Sequence, residues 1–370
     1  MDLQAEDKSF LMAITVKGLI PLARERTLQS LYYVLKGRKS NQTYQDVHMY
    51  SLFSYYRLFP RLSKEDWQEI VQALQKAQYI ELVSFDKGNT KQSFAITMSG
   101  MQWQAETEEK YQLQKWLDSS FQSVSQVTET ERFWMKLHLM VQTISQLSGN
   151  KNSFFPVVSN KEVQLWVKQQ LSMPSKREEW LTHLANELYQ LLRYLPSQQQ
   201  RLVVDQFSGI SQAGLTLDQI SWREKEPHSY TIVKFRHALC RLYQMVQQDL
   251  GVSLPHLYSL VDTGKQQRMP ISDSAFQTYQ LLVKEKDIDT IAKRRNLRRG
   301  TIEDHLIEIS LNVPQWDHSS FLSQAAKEEI VATSEQYGTK RLRLIREYLR
   351  NQYSYLQIRL ALALKKENKN

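Results

Sequence analysis

The stretch Ile288-Asp289-Thr290-Ile291-Ala292-Lys293-Arg294-Arg295-Asn296-Leu297-Arg298-Arg299-Gly300-Thr301-Ile302-Glu303-Asp304-His305-Leu306 decides how this 370-residue chain is read. Ile288, Ile291 and Ala292 recur at helical spacing behind Asp287, a side chain suited to cap a helix. Asn296 and Leu297 close a tight turn. A further helix then begins near Gly300 and puts Ile302, Leu306 and Ile309 on one face. Upstream, Ser274 to about Glu285 reads as a preceding helix with Tyr279 and Leu282 on one side. Small Ala292 lets the two short helices cross steeply, with Leu297 in the corner between them, which is helix-turn-helix spacing.

In such a unit the third helix presents its N-terminal backbone N–H groups, and basic neighbours there suit phosphates and base edges. Arg294, Arg295, Arg298 and Arg299 crowd that corner, and Thr301 is a further candidate for a DNA contact. Glu303 and Asp304 on the same first turn favour the helix dipole but repel phosphates. This shifts the expectation from base reading toward backbone contact, or toward docking on a protein. His305 reads as a packing or hydrogen-bonded residue.

Charge supports the same region. The net charge is +9, compatible with a polyanionic partner. Residues 284–299 hold seven Lys/Arg against three acids, residues 340–369 nine against two, and residues 300–339 one against seven. The tail from Thr339 to Lys366 has a second amphipathic pattern, broken at Gln352–Ser354, with Arg343, Arg346 and Arg350 on one face. That stripe suits either phosphates or the rim of a protein interface.

Toward the N-terminus, Thr27–Leu35, Tyr44–Leu58 and a segment opening at Ser63 read as helices. A β-hairpin follows, Tyr79–Val83 paired with Lys91–Thr97 around Gly88-Asn89. Three helices and a two-stranded wing give a winged-helix-like domain over 1–104. Residues 105–265 read as an all-helical middle domain, with a second helix-turn-helix order at 196–250, and 271–366 form the C-terminal helix-turn-helix domain. The fold class expected is mainly α, in keeping with only 11 Gly and 9 Pro.

Catalytic readings find little support. Lys36-Gly37-Arg38-Lys39-Ser40 lacks the glycine spacing of a phosphate-cradling loop, so a helicase motor is not expected. Eight scattered histidines show no zinc-hydrolase order, and Cys240 with His237 has no orienting partner. No catalytic residue, cofactor, metal or small-molecule substrate is expected. A single cysteine and the absence of a long apolar run point to a reducing, cytoplasmic setting, with nucleoid association as an alternative and no membrane partner.

Two separated blocks resemble a known family. Thr278-Tyr279-Gln280, Ile288-Asp289-Thr290-Ile291-Ala292, Leu297 and Thr301-Ile302-Glu303-Asp304-His305-Leu306 form the first; Tyr353-Ser354-Tyr355-Leu356-Gln357-Ile358-Arg359-Leu360-Ala361-Leu362-Ala363 form the second. Together they resemble the helicase-associated helix-turn-helix domain found at the C-terminus of some RecQ helicases and in the YpbB family of Firmicutes. Leu35–Thr43 and Phe155-Pro156-Val157-Val158 also look YpbB-like. The resemblance implies a non-catalytic DNA-binding accessory factor, partnered with a RecQ-type helicase in recombination or repair, on forked or single-strand-containing DNA. By analogy with the RecQ winged helix, Lys87 and Lys91 would lie near the DNA backbone and Phe85 would be a candidate wedge. Where such domains often carry a small hydroxyl residue ahead of the Thr-Ile pair, this chain has Gly300, which implies weaker capping of the third helix. The alternatives are a sequence-specific transcription regulator and a protein-interaction scaffold without DNA contact.

Overall fold

A computed structural model describes residues 3–84, 92–117, 121, 123–151, 153–261, 271–285, 287–313 and 315–365. These residues form nineteen α-helices, one short 3-10 helix and a single two-stranded antiparallel sheet, so the chain is mainly α. They group into two compact units, the first made of Met1–Lys17, Lys64–Ala77 and Met98–Thr263, the second of Gly18–Ser63, Gln78–Thr97 and Gly264–Asn370. The 1–104 segment expected as one winged-helix-like domain is therefore shared: its Lys64–Lys76 helix belongs to the first unit, its hairpin to the second.

The first unit has helices and no strand among its described residues. Val124–Ser148 and Lys161–Gln170 start where Ser123 and Asn160 accept the N–H groups of Gln126 and Val163. Pro174 opens the Pro174–Leu192 helix, because a first-turn residue needs no N–H. The 196–250 segment forms three helices, Ser197–Val204, Leu217–Glu224 with a Thr216/Gln219 capping box, and His228–Asp249. Phe133, Leu137, Trp180, Leu184, Leu239 and Leu242 lie in the common core. The Asp7 carboxylate accepts the Ser229 N–H at 2.7 Å, fastening the Leu3–Leu19 helix to the start of the His228–Asp249 helix.

In the second unit the Leu28–Lys36 helix ends at Gly37, whose φ is +69°. A Cβ there would fall 2.6 Å from Arg57 Cβ, so both conformation and space require glycine. Asn41–Met49, capped by Ser40, is shorter than the Tyr44–Leu58 periodicity predicts. The helix stops because Ser51 turns left-handed and the Leu52 N–H closes back on the Val47 carbonyl at 2.8 Å. The strands Ile80–Ser84 and Gln92–Ile96 pair with Leu82 opposite Phe94. Phe94 is buried, its carbonyl accepts the Arg24 N–H at 2.8 Å, and the Ser93 hydroxyl donates to the Arg26 carbonyl, so the hairpin base is built into this unit. Phe85, Lys87 and Lys91 lie outside the described residues.

Among the described residues, the C-terminal part of this unit has six helices: Asp273–Leu282, Ile288–Arg295, Arg299–Asn312, Gln324–Gln336, Leu342–Tyr348 and Tyr355–Ala363. The third and sixth pack on the Asn41–Met49 helix as well as on each other, so this module shares a core with residues from the chain's beginning. The Gln324–Gln336 helix falls in the acidic spacer, where sequence patterning picks out no helix.

Candidate nucleic-acid interface

The helix-turn-helix is built as its spacing predicts. Asp287 caps the second helix, accepting the Thr290 N–H at 2.8 Å, and Ile288, Ile291 and Ala292 are buried. The Thr290 bonds hold the Asp287 carboxyl below its ordinary value. Asn296 adopts the left-handed conformation that asparagine tolerates, and the Leu297 N–H reaches back to the Ala292 carbonyl at 3.0 Å. Ile302, Leu306 and Ile309 have no exposed surface. The first helix buries Ala275, Thr278 and Leu282; Tyr279, the expected contact, is only half-buried.

The third helix starts at Arg299 with Arg298 at the cap position, and no side chain accepts its first N–H groups. The cap position thus falls at Arg298, not at Gly300, which lies within the first turn. Of the first N–H groups, that of Thr301 turns back to the Arg298 carbonyl at 2.9 Å, leaving those of Arg299 and Gly300 open to an external acceptor such as a phosphate oxygen.

The four arginines at this corner have different surroundings. Arg295 turns inward. Its guanidinium donates to the Ser274 carbonyl at 2.5 Å, the Thr278 hydroxyl at 2.6 Å and Gln277 Oε1 at 2.7 Å, all on the first helix. Burial lowers its pKa from the usual arginine value. Arg299 is exposed but engaged, 2.6 Å from Asp289 Oδ2 and 3.0 Å from Glu303 Oε1, and Glu303 then Asp289 raise its pKa. Arg294 and Arg298 are exposed, and neither makes a side-chain hydrogen bond or ion pair among the described residues. Thr301 is half-buried.

The two acids of the third helix are also paired. Glu303 meets Arg299, and Asp304 Oδ1 lies 2.5 Å from Arg359 Nη2, a contact that joins the two sequence blocks. Their repulsion of phosphates is correspondingly reduced. Sequence reading missed Asp289 and Arg359 as partners; the Arg299–Glu303 pair was available from its i, i+4 spacing. His305 is buried, its Nδ1 2.8 Å from the Thr278 hydroxyl, and burial lowers its pKa. The unit thus offers a cationic corner of exposed Arg294 and Arg298, backed by an arginine that braces the fold and another balanced by acids.

These features define a helix-turn-helix domain: residues 274–362 match the family model described as a helix-turn-helix domain. The chain is also similar to Protein YpbB of Bacillus subtilis (strain 168), 25% identical over 342 residues that cover 91% of this chain and 92% of that protein. The two matches bear out the YpbB-type resemblance of the sequence. No solved structure matches the chain. Among the described residues, no helix is long and apolar enough to cross a membrane.

Proposed function

We propose that the C-terminal module binds DNA through the phosphate backbone, with Arg294 and Arg298 as the principal contacts and the uncapped start of the third helix beside them. The carrying observation is that these two arginines alone of the four are exposed and without a side-chain partner among the described residues. An exposed guanidinium without an internal carboxylate gives up little on meeting a phosphate, whereas Arg299 must first leave Asp289 and Glu303. The chain acts as a non-catalytic accessory factor beside a RecQ-type helicase in recombination or repair. The match to a helix-turn-helix domain supports the DNA-binding half of this reading. The helicase half rests on the resemblance of the same residues to the domain fused to such helicases. Lys87 and Lys91 remain further candidate contacts, by analogy alone.

The test is a salt titration of DNA binding by the full chain and by Arg294→Ala/Arg298→Ala. Loss of two phosphate contacts lowers the slope of log affinity against log salt by about 1.8. An unchanged slope and affinity would remove the proposal. Pull-down of the full chain on an immobilised RecQ-type helicase, with nuclease present, tests the partnership separately from DNA bridging.

A further inference from the structure

The six C-terminal helices are two copies of one three-helix arrangement. In the first copy Ser272 caps Asp273–Leu282, and the short Ile288–Arg295 and longer Arg299–Asn312 helices follow. In the second, Ser323 caps Gln324–Gln336, and Leu342–Tyr348 and Tyr355–Ala363 follow. In both copies the first and third helices pack most closely, and the short middle helix lies chiefly on the third.

The turns share two backbone bonds. Asn296 and Leu297 donate to the carbonyls of Lys293 and Ala292; Arg350 and Asn351 donate to those of Glu347 and Arg346. Asn296 and Arg350, equivalent in this pattern, have φ of 52° and 50°. Ile291 and Ile345 are both fully buried, as are Ile302 and Ile358, each four residues past its helix cap. Tight turns between a short and a longer helix therefore occur twice, and both are basic. From 340 to 353 there are five Lys/Arg, including Arg343 and Arg350, against Glu347 alone.

The second copy adds an exposed pair of stacked aromatic rings. Tyr337 and Tyr348 stack face to face with ring centroids 3.8 Å apart, yet are 49% and 45% exposed. Tyr355 is 45% exposed and has the Arg346 guanidinium 4.9 Å from its ring centre. Arg350 is exposed, without a side-chain partner among the described residues, in a left-handed conformation that disfavours any residue but glycine or asparagine.

We propose that this second unit is a further nucleic-acid contact, one that takes an unpaired strand: bases stack on the Tyr337–Tyr348 pair while Arg350 meets the backbone, joined by Arg343 once it leaves Glu347 2.8 Å away. Base faces are free to stack on aromatic rings only when the strand is not in a duplex, and interleaved cations and exposed rings are the recurring means of holding such strands. An apolar protein partner fits less well, since it would bury Arg350, which has no acid to pair it, along with the Arg343–Glu347 pair. This inference rests on the DNA-binding reading above, and assigns to the second copy the single-stranded part of the substrate.

The test uses the full chain with labelled oligothymidylate and a labelled blunt duplex at one salt concentration. Tyr348→Ala is expected to weaken oligothymidylate binding about tenfold and duplex binding little, whereas Tyr348→Phe, which keeps the ring, stays near wild type. Arg350→Asn, which suits the left-handed turn and removes the charge, also weakens the oligonucleotide. That variant keeps the test decisive should Tyr348→Ala fold poorly. Equal oligothymidylate affinity for Arg350→Asn and wild type, or for Tyr348→Ala and Tyr348→Phe, overturns the proposal. Failure of the first-copy reading is seen elsewhere, as unaltered duplex binding by Arg294→Ala/Arg298→Ala.

Discussion

The Arg295 guanidinium donates to the Thr278 hydroxyl at 2.6 Å, and that hydroxyl lies 2.8 Å from His305 Nδ1. An arginine only donates, so the chain that satisfies every group runs from Arg295 through Thr278 to an unprotonated His305 Nδ1. All three helices of the first copy contribute one residue. Arg295→Ala leaves the buried Thr278 hydroxyl short of a donor, and is expected to destabilise the unit by about 2 kcal/mol. Arg295→Lys recovers only part of this, because one ammonium cannot reproduce the fork that reaches Ser274, Thr278 and Gln277. Urea midpoints measure the loss. The salt slope of DNA binding, measured on the folded variant, should stay near wild type, in contrast to Arg294→Ala/Arg298→Ala.

Arg299 is held in reserve by Asp289. The pair is exposed on both sides, so removing it changes stability by less than about 1 kcal/mol. Asp289→Asn nevertheless frees much of the guanidinium for an external anion. The variant is expected to bind DNA more tightly and to steepen the salt slope by about 0.9, one added phosphate contact. Arg299→Ala should leave the slope close to wild type. A weaker-binding Asp289→Asn protein would show that Arg299 faces away from the nucleic acid.

Much of the C-terminal module was legible in the sequence because its signals are local. Asp287 as cap, the Asn296 turn and the Ile302–Leu306–Ile309 stripe each depend on residues a few positions apart. The states of the arginines were not legible, because each is set by a residue distant in the chain: Ser274 and Thr278 for Arg295, Asp289 for Arg299, Arg359 for the neighbouring Asp304. The Gln324–Gln336 helix escaped because its inward positions are small or polar, Ala326 and Ser334 on either side of Ile330. The Asn41–Met49 helix was overextended for the opposite reason. Apolar residues continue to Leu58 at helical spacing, while the chain leaves the helix through the left-handed Ser51 and buries Leu52, Tyr55 and Tyr56 from a turn. Periodicity reports which side chains are buried, and the backbone that buries them is decided by closure against the rest of the unit.

His48, in the same helix, adds an acid-sensitive contribution to the second unit. Its ring meets Phe53 edge-on at 4.8 Å, and its Nε2 is buried without a hydrogen-bond partner. Burial lowers its pKa from 6.5 to about 4. The folded value lies below the unfolded one, so the unfolded chain takes up the proton first, and the stability His48 contributes is present above pH 6.5 and lost as pH falls toward 4. The loss amounts to about 3 kcal/mol when complete. His305, also lowered by burial, acts with the same sign. Thermal melting followed from neutral pH downward should therefore show a falling Tm, and His48→Leu should flatten the profile across that window while costing some stability at neutral pH. Parallel profiles for the two proteins would assign the acid sensitivity to other groups.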